Sequence, residues 1–515
     1  MGHNRQMTSV LDSPPVDRPG RPGRSQLPYL LVLALGAISG FAFLGRSALY
    51  LDEAVSTSIA RTPWHRFTDV VVHQESNQSL YYLVLRGWIH VGDSEFVMRT
   101  LSVVAVVAAL AVLMYVTNEL FGRKVALVCG VLLAVDPLIV EMAQDVRGYA
   151  LSVLFVSASS ALFVHAITRS SGPLSAGWTS WAGYVVFSAL AAYTNFWAAL
   201  IPVAHAVSLA FLPPGGIPWR RLVPSGVVLA LLLVPLGLLI HANDSSGKYN
   251  WASGTSAGHL FAKVRAKVPH AAIDLVVLLV VAVIVYAVVL LRRRAPSTSF
   301  VRQWPLMFTV SWLVVPLAAV VLLSFVYKPL LVVRYLVVFL PPAAMLVALG
   351  LSKLSRRSFA VGLAVLVVAS AAGLASWYKN GWGEDWRGAL DALAARSAPG
   401  DGVVVFPAYM RIPFEWYLQF HPSAEGTLQP VFPSLAFERN PLLYDGNVKV
   451  DQAAVTSAAR RHDRVWLVLS QSELDPTRRQ EVMNGLGAAG LGATRTYHFE
   501  GVRIVEYTAP GTAVR

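Results

Sequence analysis

Long runs of apolar residues constrain this chain more than any other feature. A helix needs about 20 apolar residues to cross the hydrocarbon core of a bilayer. Only 14% of the residues are charged and 55% are apolar, whereas a soluble protein is about 25% charged. The sequence therefore predicts an α-helical polytopic membrane protein with about 11 transmembrane helices. The predicted spans are 28–49, 97–118, 125–141, 149–168, 180–195, 197–212, 223–241, 271–291, 305–326, 335–351 and 358–376.

The basic residues between these spans predict how the chain is oriented. Cytoplasmic loops of membrane proteins carry an excess of Lys and Arg. If the N-terminus is cytoplasmic, every cytoplasmic connection is basic, and an odd number of spans leaves the C-terminus outside. Residues 1–26 are then a disordered cytoplasmic tail, and 51–96 is the first extracytoplasmic loop, with interfacial helices near 54–60 and 80–91. The lipid bilayer is thus a partner, and the net charge of +13 does not indicate nucleic acid.

The composition changes near residue 379. Residues 27–378 form the predicted transmembrane domain, and 379–515 alternate between helix and strand patterns. Such alternation predicts an extracytoplasmic α/β domain, and a chain of about 135 residues can bury its own core. Its predicted helices are 386–396 and 476–486, and its predicted strands are 403–406, 465–469 and 502–507. No Gly-rich phosphate loop is present in it, which favours a structural or acceptor-guiding role.

Two adjacent carboxylates, Asp52 and Glu53, directly follow the first span. They are predicted at the rim of the bilayer, where an ionisable group can act on a lipid-linked substrate and still contact water. Ionisable residues at this depth are candidates for function. The alternative is that the pair only marks the end of a helix at the lipid headgroups.

Three further polar groups are predicted at span ends on the same membrane face. A cation can bind a phosphate and stabilise it as it leaves, and a carboxylate can accept the proton of an attacking hydroxyl. Together they suit transfer of a group from a lipid phosphate. Alternatively, Arg99 and Arg147 extend to ordinary lipid phosphates, or Asp145 and Arg147 form a structural ion pair. The three groups are Glu75, Asn77 and Tyr81; Asp145 and Arg147; and Lys328 and Arg334.

Metal and disulfide chemistry have little support. The single cysteine, Cys129, lies in an apolar span, so the chain cannot form an internal disulfide. His73 and Glu75 offer two ligands for a divalent metal without a third nearby. No cofactor is therefore predicted, and a divalent metal is kept as an unproven alternative.

A series of motifs follows in order through about residues 28–400. They are Leu51-Asp52-Glu53, Glu75-Ser76-Asn77-Gln78-Ser79-Leu80-Tyr81-Tyr82, Glu95-Phe96-Val97-Met98-Arg99, Phe121-Gly122-Arg123-Lys124, Gln144-Asp145-Val146-Arg147-Gly148-Tyr149, Arg334-Tyr335 and Glu384-Asp385-Trp386-Arg387. The series resembles bacterial GT-C glycosyltransferases, relatives of the protein O-mannosyltransferases and of the lipid A aminoarabinose transferase. Many relatives have Pro-Pro where this chain has Gln78-Ser79.

The resemblance implies a GT-C-like fold and inverting transfer of a sugar from a polyprenyl-phosphate donor to a hydroxyl of a cell-envelope acceptor on the outer face. Mannose is the favoured sugar, with arabinofuranose or another pentose as the alternative. A transporter or flippase of lipid-linked sugar is a non-enzymatic alternative, and a non-catalytic assembly protein is another.

The resemblance also implies roles for individual residues. Asp52 is the catalytic base and Glu53 supports it. Glu75 and Asn77 contact donor or acceptor, with Tyr81 beside them. The residues that shape the site and bind the phosphate are Asp145, Arg147 and Arg334. Lys328 remains a candidate from its charge and its place near Arg334, apart from the resemblance.

Overall fold

The structure, a computed structural model, has two parts: a bundle of apolar helices and a small domain built on a β-sheet. It describes residues 26–169, 177–212, 216–245, 300–326, 337–381, 383–433 and 450–511. The predicted span 271–291 and the predicted site residues Lys328 and Arg334 lie outside the described residues, as does nearly all of the predicted tail.

Helices form the described part of the chain up to residue 380. Their order begins with α1 (Leu27–Phe41), α2 (Leu51–Arg61), α3 (Trp64–His73), α4 (Ser79–Trp88), α5 (Glu95–Phe121), α6 (Arg123–Ala134), α7 (Pro137–Ala143) and α8 (Tyr149–Thr168). It continues with α9 (Trp178–Thr194), α10 (Leu200–Ser208), α11 (Trp219–Ser245), α12 (Phe300–Val326), α13 (Leu340–Ser352) and α14 (Arg356–Asn380).

Several of these helices could cross a membrane. In the described ranges, five are long and apolar enough, and α6 with α7 makes a sixth if the bent pair is one span. These helices confirm a polytopic membrane protein, while the predicted total of eleven spans stays a prediction. The five are Glu95–Phe121, Tyr149–Thr168, Trp219–His241, Gln303–Leu323 and Arg356–Asn380.

Two predicted spans differ from the structure. The predicted span 28–49 is too long, because α1 ends at Phe41 and the backbone carbonyls of Leu44, Ser47 and Ala48 accept hydrogen bonds from a buried arginine instead. The predicted span 125–141 is broken, since α6 and α7 meet at 63°. Proline lacks the N–H that would continue a helix, and the Asp136 side chain caps the new helix at Pro137.

The C-terminal part forms one mixed sheet with helices on it. The strand order is β2-β1-β3-β5-β4; β1 is parallel to β2 and β3, while β5 is antiparallel to β3 and β4. This confirms the predicted mixture of strands and helices. The elements are α15 (Trp386–Ala394), β1 (Gly402–Phe406), α16 (Arg411–Leu418), α17 (Pro422–Glu425), β2 (Gln429–Phe432), α18 (Gln452–Ala459), β3 (Arg464–Ser470), α19 (Pro476–Ala488), β4 (Gly492–Phe499) and β5 (Val502–Thr508).

The two faces of this sheet have different neighbours, because side chains alternate along a strand. Val404, Leu467 and their neighbours pack under α18 and α19 in a separate apolar cluster. Val405, Trp466 and Ile504 belong instead to the continuous apolar cluster of the membrane helices. Helices α15 and α16 lie on this second face, and α16 contacts α2 of the helical bundle. The sheet domain is called the outer domain below.

Candidate active site at the start of helix α2

Helix α2 begins at Leu51 and places Asp52 and Glu53 in its first turn. The Tyr50 N–H donates to Glu53 Oε2 over 3.3 Å, which closes a capping box at the helix start. Carboxylates in a first turn are also stabilised by the helix dipole. The two side chains then diverge: Glu53 is fully buried, whereas Asp52 is partly exposed.

Glu53 forms a bidentate ion pair with Arg99 of α5. Arg99 Nε lies 2.8 Å from Glu53 Oε1, and Arg99 Nη2 lies 2.6 Å from Glu53 Oε2. Glu53 Oε1 also accepts from the Val146 N–H over 3.0 Å. The alternative that Arg99 extends to lipid phosphates is wrong, because its side chain is 2% exposed.

The segment between α7 and α8 closes over these groups. The Tyr50 hydroxyl lies 3.3 Å from both carboxylate oxygens of Asp145, which is fully buried. Arg147 Nη1 lies 3.4 Å from the Asp52 carbonyl oxygen and 3.5 Å from Ser56 Oγ. The structure thus brings two predicted groups together, Asp52 with Glu53 and Asp145 with Arg147.

The predicted group of Glu75, Asn77 and Tyr81 is connected to this site through Gly148. The Gly148 N–H donates to Gln78 Oε1 over 2.8 Å, which links the 3₁₀ turn Ser76–Gln78 to Arg147. Within the group, Tyr82 donates to Glu75 Oε2 over 3.2 Å, and Asn77 is 9% exposed.

Tyr81 lies inside the protein rather than at the membrane interface. It is fully buried, and burial followed by the negative charge of Asp145 raises its pKa well above 10. Its hydroxyl therefore stays protonated.

The outer domain covers the start of α2. The Tyr417 hydroxyl accepts from the Leu49 N–H over 2.6 Å and donates to Glu95 Oε1 over 2.9 Å. Arg387 Nη2 reaches the same Glu95 oxygen at 2.7 Å. Burial raises the pKa of Tyr417, so this hydroxyl is a neutral donor. Residues of α15 and α16 thus contact Leu49, just before α2, and Glu95, at the start of α5.

Sequence reasoning missed some of these contributors. The buried role of Arg99 could have been predicted from the sequence, because a charge inside an apolar helix usually has a buried partner. Gln78 and Tyr417 carry no such signal. No group of three potential metal ligands occurs among the residues that the structure describes.

A known protein family matches part of this chain. The family of dolichyl-phosphate-mannose-protein mannosyltransferases matches residues 80–241. Comparison of the sequence with curated proteins gave no match.

Two solved structures share the fold. The structure of ArnT from Cupriavidus metallidurans bound to undecaprenyl phosphate aligns with a TM-score of 0.58 and 15% identity, over 95% of this chain and 99% of that one. The archaeal oligosaccharyltransferase AglB from Archaeoglobus fulgidus, in complex with an inhibitory peptide and a dolichol-phosphate, aligns with a TM-score of 0.54 and 13% identity, over 95% and 75%.

The fold is that of the membrane glycosyltransferases of the GT-C type. The chain resembles ArnT and the protein O-mannosyltransferases, as its ordered motifs predicted.

Proposed function

We propose that the protein is a membrane glycosyltransferase that moves a sugar, with mannose favoured, from a polyprenyl-phosphate donor to a hydroxyl of a cell-envelope glycan, glycolipid or protein. An arabinofuranosyl or other pentosyl donor is the alternative substrate. Support comes from the family match over residues 80–241 and from the fold shared with ArnT bound to undecaprenyl phosphate.

The observation that carries the proposal is the different environment of two adjacent carboxylates. Glu53 accepts four hydrogen bonds and is fully buried. Asp52, at the preceding position of the same helix, is partly exposed. We therefore assign the base to Asp52 and give Glu53 a positioning role.

The proposed step is an inverting displacement. The acceptor oxygen attacks the anomeric carbon as its proton passes to an Asp52 carboxylate oxygen. The bond between the anomeric carbon and the phosphate oxygen breaks, and its electron pair leaves with polyprenyl phosphate. A positioned base contributes about 10²–10⁴ in rate.

The leaving phosphate needs positive charge beside it. Arg147 lies beside Asp52, with its Nη1 3.4 Å from the Asp52 carbonyl oxygen. We propose that Arg334, as the family resemblance implies, and Lys328, from its charge and predicted position, add to it. Glu75 and Asn77 are proposed to contact donor or acceptor.

The proposed location is the outer face of the cytoplasmic membrane. The basic connections favour a cytoplasmic N-terminus, and α2 and the outer domain are then extracytoplasmic together. Their contacts through Tyr417 support this, since both must lie on one side.

The test is transfer by the purified full-length protein in lipid. Polyprenyl-phosphate mannose and polyprenyl-phosphate arabinofuranose are supplied separately with envelope extract from a deletion strain, with EDTA or with added Mg²⁺ or Mn²⁺. We expect release of polyprenyl phosphate and labelled acceptor, both lost in Asp52→Asn while the protein still inserts. Full activity of Asp52→Asn removes Asp52 from the base role.

The same preparation tests the flippase alternative. A flippase moves the intact donor across the bilayer and leaves its sugar–phosphate bond unbroken. Movement of donor without release of polyprenyl phosphate would therefore exclude the transferase and favour transport.

A further inference from the structure

A cavity lies at the C-terminal ends of α1 and α14, beside the segment that leads into α2. It encloses about 320 Å³ including its open mouth. A water molecule takes about 30 Å³ in the liquid, so a group of several heavy atoms fits. Asp52 and Arg147 are not among the described residues that line it. It is called the rim cavity below, and its lining includes Phe43, Arg46, Ser47, Gln144, Trp377 and Tyr378.

Hydrogen bonds from α14 to the ends of α1 and α7 hold the walls of the rim cavity. The Trp377 indole N–H donates to Gln144 Oε1 over 2.7 Å, and the Tyr378 hydroxyl donates to a carbonyl oxygen of α1 over 2.6 Å. Gly381 follows α14 so close to Ser47 that an added Cβ would lie 2.6 Å from Ser47 Oγ. Its φ of +52° also favours glycine. These contacts fix the shape of the cavity.

The lining of the rim cavity is cationic. Arg46 is exposed and forms no ion pair within the described part of the chain. Arg99 also lines the cavity, but Glu53 neutralises it, and the described lining contains no carboxylate. A guanidinium group presents its donors in a geometry that matches phosphate oxygens, and the Ser47 hydroxyl is a further donor. The cavity therefore suits a phosphate group.

The helices that lead to the rim cavity have apolar outer faces. Leu31 and Ile38 on α1 are exposed, as are Val361, Val365 and Val368 on α14. Exposed apolar surface of this extent is typical of contact with a membrane, and α14 is long and apolar enough to cross one. A phosphate in the cavity can therefore belong to a lipid whose acyl chains lie along these faces.

Aromatic side chains indicate the depth of the rim cavity in the bilayer. The ring centres of Phe43 and Tyr378 are 5.5 Å apart, and those of Phe41 and Phe96 are 6.3 Å apart. Phe43 is exposed although its φ of +59° is strained for phenylalanine. Tyr378 and Trp377 are of the two residue types that concentrate at the membrane–water interface. The cavity is thus expected at the level of the lipid headgroups.

We propose that the rim cavity binds the phosphate headgroup of an acidic phospholipid, with Arg46 and Ser47 as donors and the acyl chains along α1 and α14. An acidic phospholipid fits better than a zwitterionic one, because its headgroup has no cation of its own to compete with Arg46. The bound headgroup braces the segment before α2, which Arg99 holds from the inside. This inference goes beyond the proposed function and does not depend on it.

The test is photolabelling of the full-length protein in bilayer discs of phosphatidylcholine. The probe is a trace of phosphatidylglycerol whose headgroup carries a photoreactive group, and fragment mass spectra locate the cross-links. We expect labels in residues 42–47 and 376–381, and about fivefold less labelling there by phosphatidylcholine with the same photoreactive group. Equal labelling by both lipids overturns the inference.

Variants test the role of Arg46. Arg46→Gln should lower labelling by phosphatidylglycerol about fivefold, because one basic residue at an anionic lipid loses its charge. Arg46→Lys keeps the charge and should retain most of the labelling. The control is Arg357→Gln, since Arg357 is equally an exposed cation but lies in the first turn of α14, at its other end. An equal loss in the control would show only general attraction between cations and acidic lipid, and would overturn the site.

Competitors identify the occupant. Unlabelled phosphatidylglycerol should displace the probe, whereas glycerol phosphate, which lacks acyl chains, should not. Displacement by glycerol phosphate at the same concentration would show an anion site without a lipid partner. Displacement by polyprenyl phosphate but not by phosphatidylglycerol would assign the cavity to the donor lipid, and either result overturns the inference. Because no arm involves sugar transfer, failure of the lipid site and failure of the proposed transferase are seen separately.

Discussion

Arg99 of α5 and Glu53 of α2 are joined by two parallel hydrogen bonds, and neither side chain is more than 2% exposed. Arg99 also donates to the carbonyl oxygens of Leu44, Ser47 and Ala48 at 2.9–3.1 Å. One guanidinium group thereby holds both the helix that carries Asp52 and the irregular segment before it.

Breaking this pair should destabilise the protein strongly. In Glu53→Gln the buried guanidinium loses its counter-charge, which typically costs about 3–5 kcal/mol. We expect a large fall in the free energy of unfolding in detergent. The control is Glu119→Gln, which removes the exposed partner of Arg169, 3.9 Å away, where such pairs contribute about 0–1 kcal/mol. Equal losses in both variants would contradict a structural role for Glu53.

A methyl group at residue 148 should disturb the site. A Cβ on Gly148 would lie 2.8 Å from the Thr194 carbonyl oxygen and 3.2 Å from Gln78 Oε1. Gly148→Ala must therefore shift backbone next to Arg147, at a cost of about 1–3 kcal/mol, and transfer should fall with thermal stability.

The matched control for this change is Gly87→Ala. Gly87 is exposed near the end of α4, and no atom lies within 4 Å of its added Cβ. Alanine there should be neutral or stabilising by up to about 1 kcal/mol. If Gly148→Ala has the wild-type Tm and the wild-type transfer rate, the backbone around Gly148 can shift without cost, which contradicts the prediction.

Removing one hydroxyl should loosen the outer domain. Tyr417→Phe deletes the acceptor of the Leu49 N–H and the donor to Glu95. A hydrogen bond to a charged group contributes about 1.5–3 kcal/mol, so limited proteolysis between 380 and 386 should become faster. Tyr497→Phe, on the sheet beside Trp466, is the control and should be cleaved as wild type. Equal cleavage rates in wild type, Tyr417→Phe and Tyr497→Phe would contradict a role of Tyr417 in holding the outer domain.

Tyr81 should not contribute a titration to the activity. Burial holds its pKa well above 10, so it is a neutral hydroxyl at every pH at which the protein can be assayed. Tyr81→Phe is expected to lower the transfer rate by the same factor at every pH from 6 to about 9.5. The pH at which the rate falls on the alkaline side should be the same as in wild type. The measurement is a pair of pH–rate profiles, and a displaced alkaline limb would show that Tyr81 ionises.

Much of the helical fold was predictable because apolar runs and helix breakers act locally. The strands at 403–406 and 465–469 followed from apolar runs. The bend at Asp136-Pro137 lies inside the predicted span 125–141, where proline lacks the N–H that a continuous helix needs. Strand β4 was missed, since it is a largely exposed edge strand whose residues, such as Arg495 and His498, show no buried face.

The site was predictable only in part. The convergence of Asp52 with Arg147 followed from their shared position at span ends. The different environments of Asp52 and Glu53 did not, because they depend on Arg99, 46 residues away along the chain. Contacts that involve Tyr417, 368 residues from Leu49, arise only from tertiary packing.

The contact between Leu49 and Tyr417 also sets the order in which a newly made chain is completed. The helix that carries Asp52 is synthesised early, but the Leu49 N–H gains its acceptor only after Tyr417 has been made, 368 residues later. The ribosome must therefore release most of the chain before the segment in front of α2 has its final neighbours.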